Sequence, residues 1–431
     1  MNTFSRRAFL QTTRRAVTAG GVLGLGHPLL SFAAEPAPSP AEAGVAVDYY
    51  DKLGVTKIIN AAGTYTALTA SIMPPEVRRA VDRAALHPVR LKDLETAAGE
   101  YLAKRLQCEG ALVSAGAASA LTLGMAACVT VANRPQVGES IMDQIPTGVE
   151  PLKNEVIVQH AHRYEYDHAL LNCGIRFVEV QTMSDYQAAF TPKTVMAHFF
   201  NAAEGGEISR EEWIRVAHEH QVPCMNDAAA DVPPISNLWN YTRMGFDLVC
   251  FSGGKGMRGP QNAGLLLGRK DLIAAATENN SPNSARVGRG MKVAKEQIVG
   301  MVAAVDWFLS QTDEGMEKEF RRRADTIADA VKGLPSVQCQ VFVPPVANNV
   351  PHLLIRYDQQ RIKIAPRAVA EELRSGTPSI ELNPATGTNH ASAGLPTDAN
   401  TIVVGVWMLQ EGEDKIVGER LRSALSKALQ A

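Results

Sequence analysis

A short apolar segment that breaks into glycines and presents one lysine constrains this chain more than any other feature. Residues 248–251 are β-branched or bulky, as in a buried strand, and Ser252, Gly253 and Gly254 end that strand just before Lys255. A lysine at such a place, among small residues and close to a buried pocket, can lose its proton and attack a carbonyl group. The product of that attack is an imine.

A second buried strand, residues 222–227, ends in the carboxylate of Asp227. Between Asp227 and Lys255 there is room for one helix and a return strand, and parallel strands joined in this way carry functional residues on the same carboxyl edge of a sheet. Pyridoxal phosphate requires such a pair, a lysine for the Schiff base and an acid that keeps the pyridine nitrogen protonated. The two strands therefore predict a pyridoxal-phosphate site.

Strands and helices alternate along residues 110–270, which predicts an α/β fold with a doubly wound, mostly parallel sheet. Near its start Ser114, Gly116 and Ala117 open an apolar helix, whose first amide groups and macrodipole suit the cofactor phosphate. Ser252 is a second candidate for a phosphate contact. The alternative for residues 114–117 is a tightly packed helix of small residues that binds no ligand.

Three motifs carry a resemblance to a known family: NDAAADVPP at residues 226–234, SGGKGMRGPQ at 252–261 and GRGMKVAKEQIVG at 288–300. They are similar to those of pyridoxal-phosphate enzymes related to bacterial selenocysteine synthase, and in particular to the D-glucosaminate-6-phosphate ammonia-lyase branch. The similarity extends over roughly residues 50–310. It implies the fold-type-I architecture, with a large domain around a seven-stranded sheet, a smaller α/β domain, and assembly as a homodimer or a higher homo-oligomer.

From the resemblance and the composition we expect four segments after a leader. Residues 35–48 form a proline-containing linker, 49–75 an N-terminal arm, 76–305 the large cofactor-binding domain and 306–431 the small C-terminal domain. The loop at residues 383–397 matches no assignment.

Residues 1–34 are predicted to be a twin-arginine signal peptide. SRRAFL at residues 5–10 is the signature of that export route, and a glycine-interrupted apolar stretch leads to small residues with cleavage expected after Ala33. A membrane anchor is the alternative, but the stretch falls short of the roughly 20 apolar residues that a spanning helix requires. We therefore expect export by the twin-arginine translocase to the periplasm, without stable membrane association.

The composition argues against a nucleic-acid partner, because a net charge of −2 and a pI near 6.6 provide no basic surface. A role on tRNA, as in selenocysteine synthase, is thereby disfavoured. The six cysteines follow no metal or redox spacing and are expected to be reduced core thiols. His160, His162 and His168 lie close together, but no compact set of acidic or cysteine ligands accompanies them, so no metal is predicted.

Three further site residues are predicted. The resemblance suggests that His162 or a neighbouring aromatic residue stacks on the cofactor ring, and we select His162. Arg258 and Arg289 are candidates for binding the substrate, because a planar guanidinium binds a carboxylate or phosphate with two hydrogen bonds. Ser252 and Lys255 also match the Ser-x-x-Lys motif of penicillin-binding enzymes, but the sequence lacks the partner motifs of that class.

These residues predict an enzyme in which Lys255 removes the α-proton of an amino acid or amino sugar acid. Asp227 keeps the pyridine ring of the cofactor protonated, so that the ring withdraws electrons from the substrate. A leaving group on the β-carbon would then depart, giving ammonia and a keto acid, and the resemblance favours this lyase reaction. Racemisation, aldol cleavage and transamination are alternatives on the same scaffold. A binding protein without cofactor chemistry is the non-enzyme alternative, against which the intact lysine and aspartate argue.

Overall fold

The computed structural model describes residues 47–203, 206–389 and 394–430, so the predicted signal peptide and nearly all of the predicted linker lie outside the described residues. The chain divides into two compact units, Met1–Thr56 and Lys57–Ala431. In the described part of the first unit, helix α1 (Tyr49–Lys52) begins at Asp48, whose carboxylate accepts a hydrogen bond of 2.9 Å from the amide of Tyr50. All further elements belong to the second unit.

Seven strands form the main sheet of the second unit. In chain order they are β2 (Gly110–Ser114), β3 (Glu155–Gln159), β4 (Arg176–Val180), β5 (Thr194–Phe200), β6 (Cys224–Asp227), β7 (Leu248–Ser252) and β8 (Gly264–Gly268). Across the sheet the order is β2-β8-β7-β6-β5-β3-β4. The neighbours from β7 to β4 are parallel, whereas β8 runs antiparallel to both β2 and β7. The predicted α/β fold with a mostly parallel seven-stranded sheet is confirmed.

Helices cover both faces of this sheet, which is why its central strands are apolar along their whole length. In chain order the helices of the unit are α2 (Pro75–Ala85), α3 (Leu91–Leu106), α4 (Ala117–Val137), α5 (Ile141–Gln144), α6 (Asp167–Leu171), α7 (Met183–Ala188), α8 (Arg210–Glu219), α9 (Asn237–Met244), α10 (Lys270–Asn279), α11 (Lys295–Leu309), α12 (Asp313–Val331), α13 (Pro366–Ser375) and α14 (Glu413–Gln430). No described helix is both long enough and apolar enough to cross a membrane.

The two faces have separate cores. On one face Met225 and Leu248 pack in a cluster with the apolar side chains of α4 and α10. On the other face Val249 and Phe251 belong to a cluster that contains Trp213 of α8. Because side chains alternate along a strand, neighbouring residues at a strand end point to different faces of the sheet.

A smaller group of strands follows in the chain. β9 (Gln338–Phe342), β10 (His352–Arg356) and β12 (Thr401–Gly405) form an antiparallel sheet in the order β12-β10-β9. β1 (Ile58–Ala61) pairs in parallel with β11 (Ser379–Leu382), so an N-terminal strand joins the C-terminal part of the fold. The predicted boundary between residues 305 and 306 falls inside helix α11.

Candidate active site

Asp227 and Lys255 meet at the carboxyl edge of the main sheet. Asp227 is the last residue of β6 and pairs in register with Cys250 of β7 and Phe200 of β5. β7 ends at Ser252, and Lys255 lies in the turn that follows. The two residues that the sequence singled out are thus delivered to one edge by adjacent parallel strands.

The carboxylate of Asp227 is buried and held by three donors. Its Oδ1 accepts from the amide of Ala229 at 3.0 Å and from the thiol of Cys250 at 3.4 Å. Its Oδ2 accepts from the hydroxyl of Tyr164. These contacts fix the orientation of the acid.

Burial also acts on Lys255. Desolvation lowers the pKa of its ammonium group from the ordinary value of 10.5, although the charges of Asp227 and Asp231 act in the opposite direction. A lowered pKa increases the fraction of neutral amine at a given pH, and only the neutral amine can attack a carbonyl or take up a proton.

Asp231 is a second buried acid on the loop after β6, and the sequence analysis gave it no role. Its Oδ2 accepts from Asn201 and, at 3.2 Å, from the hydroxyl of Tyr241. Its Oδ1 has no hydrogen-bond partner among the described residues. Burial raises the pKa of this carboxyl to about 7. The signal available in the sequence was the second aspartate of the NDAAADVPP motif.

The first turn of α4 is a candidate anion site. Gly116 precedes the helix with a φ of +90°, and a Cβ on Gly264 of β8 would lie 2.6 Å from the carbonyl carbon of Gly116. Glycine at 264 therefore permits the close approach of strand and helix, and glycine at 116 permits the positive φ before the helix. The hydroxyl of Ser119 in this turn is buried and has no partner among the described residues. A free hydroxyl beside the amide groups of a helix start fits a phosphate.

The predicted phosphate ligands surround this turn. Ala117 begins α4, and Ser252 pairs in register with Gly264 at the edge of the sheet. Ser114 is buried, and its hydroxyl donates to the carbonyl of Gly116 at 2.9 Å. Ser119 is the hydroxyl that sequence reasoning missed, because its lack of a partner becomes visible only in the fold. The chemistry of these groups fits pyridoxal phosphate, with an acid, an amine and a phosphate cradle at one edge.

The aromatic residues near Asp227 differ from the prediction. The ring of His162 packs edge-on against that of Phe199, with the ring centroids 4.4 Å apart. The Nδ1 of His162 accepts a hydrogen bond of 3.2 Å from the amide of Phe200. Since Phe199 and Phe200 point to opposite faces and Phe200 pairs with Asp227, His162 packs on the face away from Asp227. The ring that reaches Asp227 is that of Tyr164, which stacks on Phe200 with centroids 4.0 Å apart. The stacking role of His162 stays a prediction, and Tyr164 is the neighbouring aromatic residue that the geometry favours.

A cleft of about 160 Å³ contains Lys255. Residues 62–66, which follow β1, form part of its wall, and Asn348, Asn383 and Trp407 of the C-terminal part form another. The sequence analysis gave none of these a role in the site, because they join it only through the pairing of β1 with β11 and the packing of the C-terminal strands.

The two predicted substrate arginines lie elsewhere. The guanidinium of Arg258 donates to the carbonyl of Trp407 at 2.7 Å, and burial together with the charge of Arg323 lowers its pKa to about 10. Arg258 thus connects the turn after Lys255 to the wall of the cleft. Arg289 is exposed and is not among the residues that line this cleft. Binding of the substrate by either arginine stays a prediction.

Sequence comparisons agree with this geometry. A family model described as L-seryl-tRNA selenium transferase matches residues 168–318. A 5'-C-glycyluridine monooxygenase-decarboxylase of a Streptomyces species is 28% identical over 348 residues, covering 77% of this chain and 83% of the relative. The D-glucosaminate-6-phosphate ammonia lyase of Salmonella typhimurium is 25% identical over 343 residues, covering 77% of this chain and 88% of the relative.

Solved structures show the same fold. A structure of D-glucosaminate-6-phosphate ammonia-lyase has a TM-score of 0.74 at 23% identity and covers 89% of this chain and all of that chain. A structure of SPT with PLP has a TM-score of 0.52 at 11% identity and covers 88% of this chain and 90% of that chain. These comparisons confirm the predicted resemblance and the fold-type-I fold, and the similar proteins include a lyase of the predicted class and a structure with the predicted cofactor.

Proposed function

We propose that this chain, a pyridoxal-phosphate enzyme related to the ammonia lyase and the selenium transferases, releases ammonia from an amino acid or amino sugar acid by elimination. The observation that carries the proposal is the half-buried amine of Lys255, with its lowered pKa, at the same sheet edge as the fixed carboxylate of Asp227. The ammonia lyase among the relatives supports elimination over the other outcomes of the same scaffold.

Each group of the site has a task in this reaction. When bound, pyridoxal phosphate supplies an electron sink conjugated to the substrate amine. Asp227 would hold the proton on the pyridine nitrogen, and Ser119, Ser252 and the first amides of α4 would hold the phosphate. Lys255 Nζ takes the α-proton, because its lowered pKa leaves it neutral more often.

Elimination then requires a leaving group on the β-carbon. A β-hydroxyl leaves with a proton as water, and the electrons of the broken Cα–H bond form the Cα–Cβ double bond. The resulting enamine hydrolyses to a keto acid and ammonia. The substrate of the proposed reaction is therefore a β-hydroxylated amine with a carboxylate on its α-carbon.

A spectroscopic experiment tests this proposal. The purified protein with pyridoxal phosphate should show a visible absorbance band that borohydride abolishes, and peptide mapping should find the reduced adduct on Lys255. Incubation with β-hydroxylated amino acids and amino sugar acids should release ammonia and keto acid in equal amounts. Loss of optical activity without ammonia would replace the lyase by a racemase, and failure to bind the cofactor would contradict the proposal as a whole.

We also propose that residues 1–34 direct export to the periplasm through the twin-arginine translocase, on the strength of the SRRAFL motif. Replacing Arg6 and Arg7 together by lysine should leave the protein uncleaved in the cytoplasm, and an unchanged periplasmic fraction would contradict the assignment. Light scattering of the mature protein should give the mass of a homodimer or a larger homo-oligomer, and the mass of one chain would contradict that part.

A further inference from the structure

The thiol of Cys250 lies against the carboxylate of Asp227. The two residues are paired in register on the neighbouring parallel strands β7 and β6, so their side chains extend from the same face of the sheet. The sulfur of Cys250 donates to Oδ1 of Asp227 at 3.4 Å, and both residues are buried. The other buried residues of β7 are Leu248, Val249 and Phe251, whose side chains have no donor. Among the buried side chains of this strand, donation to Asp227 thus depends on the thiol.

The thiol keeps its proton. Burial, together with the charge of Asp227, raises the pKa of the Cys250 thiol well above its usual range. Burial also raises the pKa of Tyr164, whose hydroxyl donates to the same carboxylate. Both groups are therefore neutral hydrogen-bond donors at neutral pH.

The donors are unequally distributed over the two oxygens of Asp227. A carboxylate has about four acceptor positions, two on each oxygen. Oδ1 accepts from the amide of Ala229 at 3.0 Å and from the thiol of Cys250, so both of its positions are occupied. Oδ2 accepts from one group among the described residues, the hydroxyl of Tyr164. One position on Oδ2 is therefore left for the pyridine N–H of the cofactor.

We infer that Cys250 is a positioning residue whose thiol occupies Oδ1 of Asp227 and thereby directs the pyridine nitrogen of the cofactor to Oδ2. Without the thiol, Oδ1 would have an open position, and the pyridine nitrogen would be able to bind to either oxygen. Such a shift would move the ring relative to Lys255, and small misplacements of reacting groups are costly in catalysis. The inference rests on the proposed function, since it concerns the cofactor of the same site, but it holds for any reaction at that cofactor.

The same contact occurs a second time at the other end of these strands. The thiol of Cys224 on β6 donates to Oδ2 of Asp247 at 3.4 Å, and Cys224 is as fully buried as Cys250. Replacing Cys224 by alanine removes the same kind of hydrogen bond and the same volume without altering a contact of Asp227. Cys224→Ala is therefore the matched control.

The test compares the wild type and Cys224→Ala with three variants of Cys250. Cys250→Ala removes the donor, Cys250→Val removes it while filling the space of the thiol, and Cys250→Ser keeps a donor on the same Cβ. Each protein is titrated with pyridoxal phosphate, and the readouts are the dissociation constant and the position of the visible absorbance band at fixed pH. Raman spectroscopy of the cofactor-free protein measures the S–H stretching band of Cys250 as the difference between the wild type and Cys250→Ser.

Cys250→Ala and Cys250→Val should raise the dissociation constant of pyridoxal phosphate about fivefold, the effect of one lost hydrogen bond. Both should also shift the visible band, because the acid no longer holds the pyridine nitrogen at one oxygen. Cys250→Ser and Cys224→Ala should keep the band of the wild type and a dissociation constant within about twofold of it. The S–H band of Cys250 should lie at the low wavenumber of a hydrogen-bonded thiol.

An unchanged band and dissociation constant in Cys250→Val would overturn the inference, and so would equal effects of Cys250→Val and Cys250→Ser. The S–H wavenumber of a free thiol would overturn it independently of the cofactor. In these cases ammonia release by the wild type would leave the proposed lyase intact. A wild type that binds the cofactor and releases no ammonia would contradict the lyase, while the titrations would still decide the role of Cys250. A wild type that binds no cofactor would contradict both.

Discussion

Buried polar groups lie near both ends of strands β6 and β7, but the two ends differ in how completely these groups are hydrogen-bonded. At the amino end, the buried carboxylate of Asp247 accepts from the amide of Cys224 at 2.8 Å, from His218 at 2.9 Å and from Arg269 at 3.0 Å. At the carboxyl end, the hydroxyl of Ser119 and one oxygen of Asp231 are buried without a partner among the described residues.

The difference separates a structural network from a binding site. At the amino end His218, Cys224 and Asp247 are the one group of described side chains that are close enough together to hold a metal ion. The Asp247 carboxylate is already neutralised there by Arg269, and burial raises the pKa of the Cys224 thiol well above its usual range. At the carboxyl end Asp227 has its donors, but Ser119 and one oxygen of Asp231 have no partner among the described residues. The unpaired groups near Lys255 and Asp227 therefore distinguish the proposed ligand side from the closed network around Asp247.

The largest effect on kcat is expected from removing Lys255 at the carboxyl end of the strands. Lys255→Ala should reduce kcat by about a thousandfold or more, because it removes both the nucleophile and the general base. The absorbance band and the borohydride adduct should disappear with it. Lys270→Ala, an exposed lysine at the start of α10, is the control and should keep both. A residual adduct in Lys255→Ala would locate the amine elsewhere.

Replacing Asp227 by the isosteric asparagine should reduce kcat by about a hundredfold, because the amide cannot keep the pyridine nitrogen protonated. Cofactor binding should persist through the phosphate cradle, which a fluorescence or absorbance titration would show. Activity within threefold of the wild type would remove Asp227 from the mechanism.

The same type of substitution at the amino end of the strands should change stability and leave turnover unchanged. Asp247→Asn should lower the free energy of unfolding by about 1–3 kcal/mol, because it weakens buried hydrogen bonds to charged groups. The kcat of the folded enzyme should not change. Urea unfolding together with steady-state kinetics measures both, and a large loss of kcat at unchanged stability would abolish the contrast between the two ends.

The smallest effect is expected at the phosphate cradle. Ser119→Ala should raise the dissociation constant of pyridoxal phosphate about fivefold, the equivalent of about 1 kcal/mol for one hydrogen bond. Ser140→Ala, at an exposed serine outside the cradle, is the control. Equal cofactor affinity in the two variants would show that the Ser119 hydroxyl does not contact the phosphate.

The sequence alone placed Asp227, Lys255 and the start of α4 at the site. Each of them follows from a local pattern, an apolar strand that ends in a polar residue or a small-residue helix start, and the topology of parallel strands brings such ends together. The same reasoning failed to single out Tyr164, because several aromatic and histidine residues follow β3 and local sequence does not say which of them turns toward Asp227.

Only the tertiary structure decided which polar groups remain without a partner. Ser119, Asp231, Asn348 and Trp407 look ordinary in the sequence, since hydrogen bonding is satisfied or not by residues far away in the chain. The same holds for the cleft wall, which requires the pairing of β1 with β11 across more than three hundred residues. Local patterns thus determined the strands, the helices and the class of chemistry, whereas long-range packing determined the shape of the cleft and the groups that it presents to a substrate.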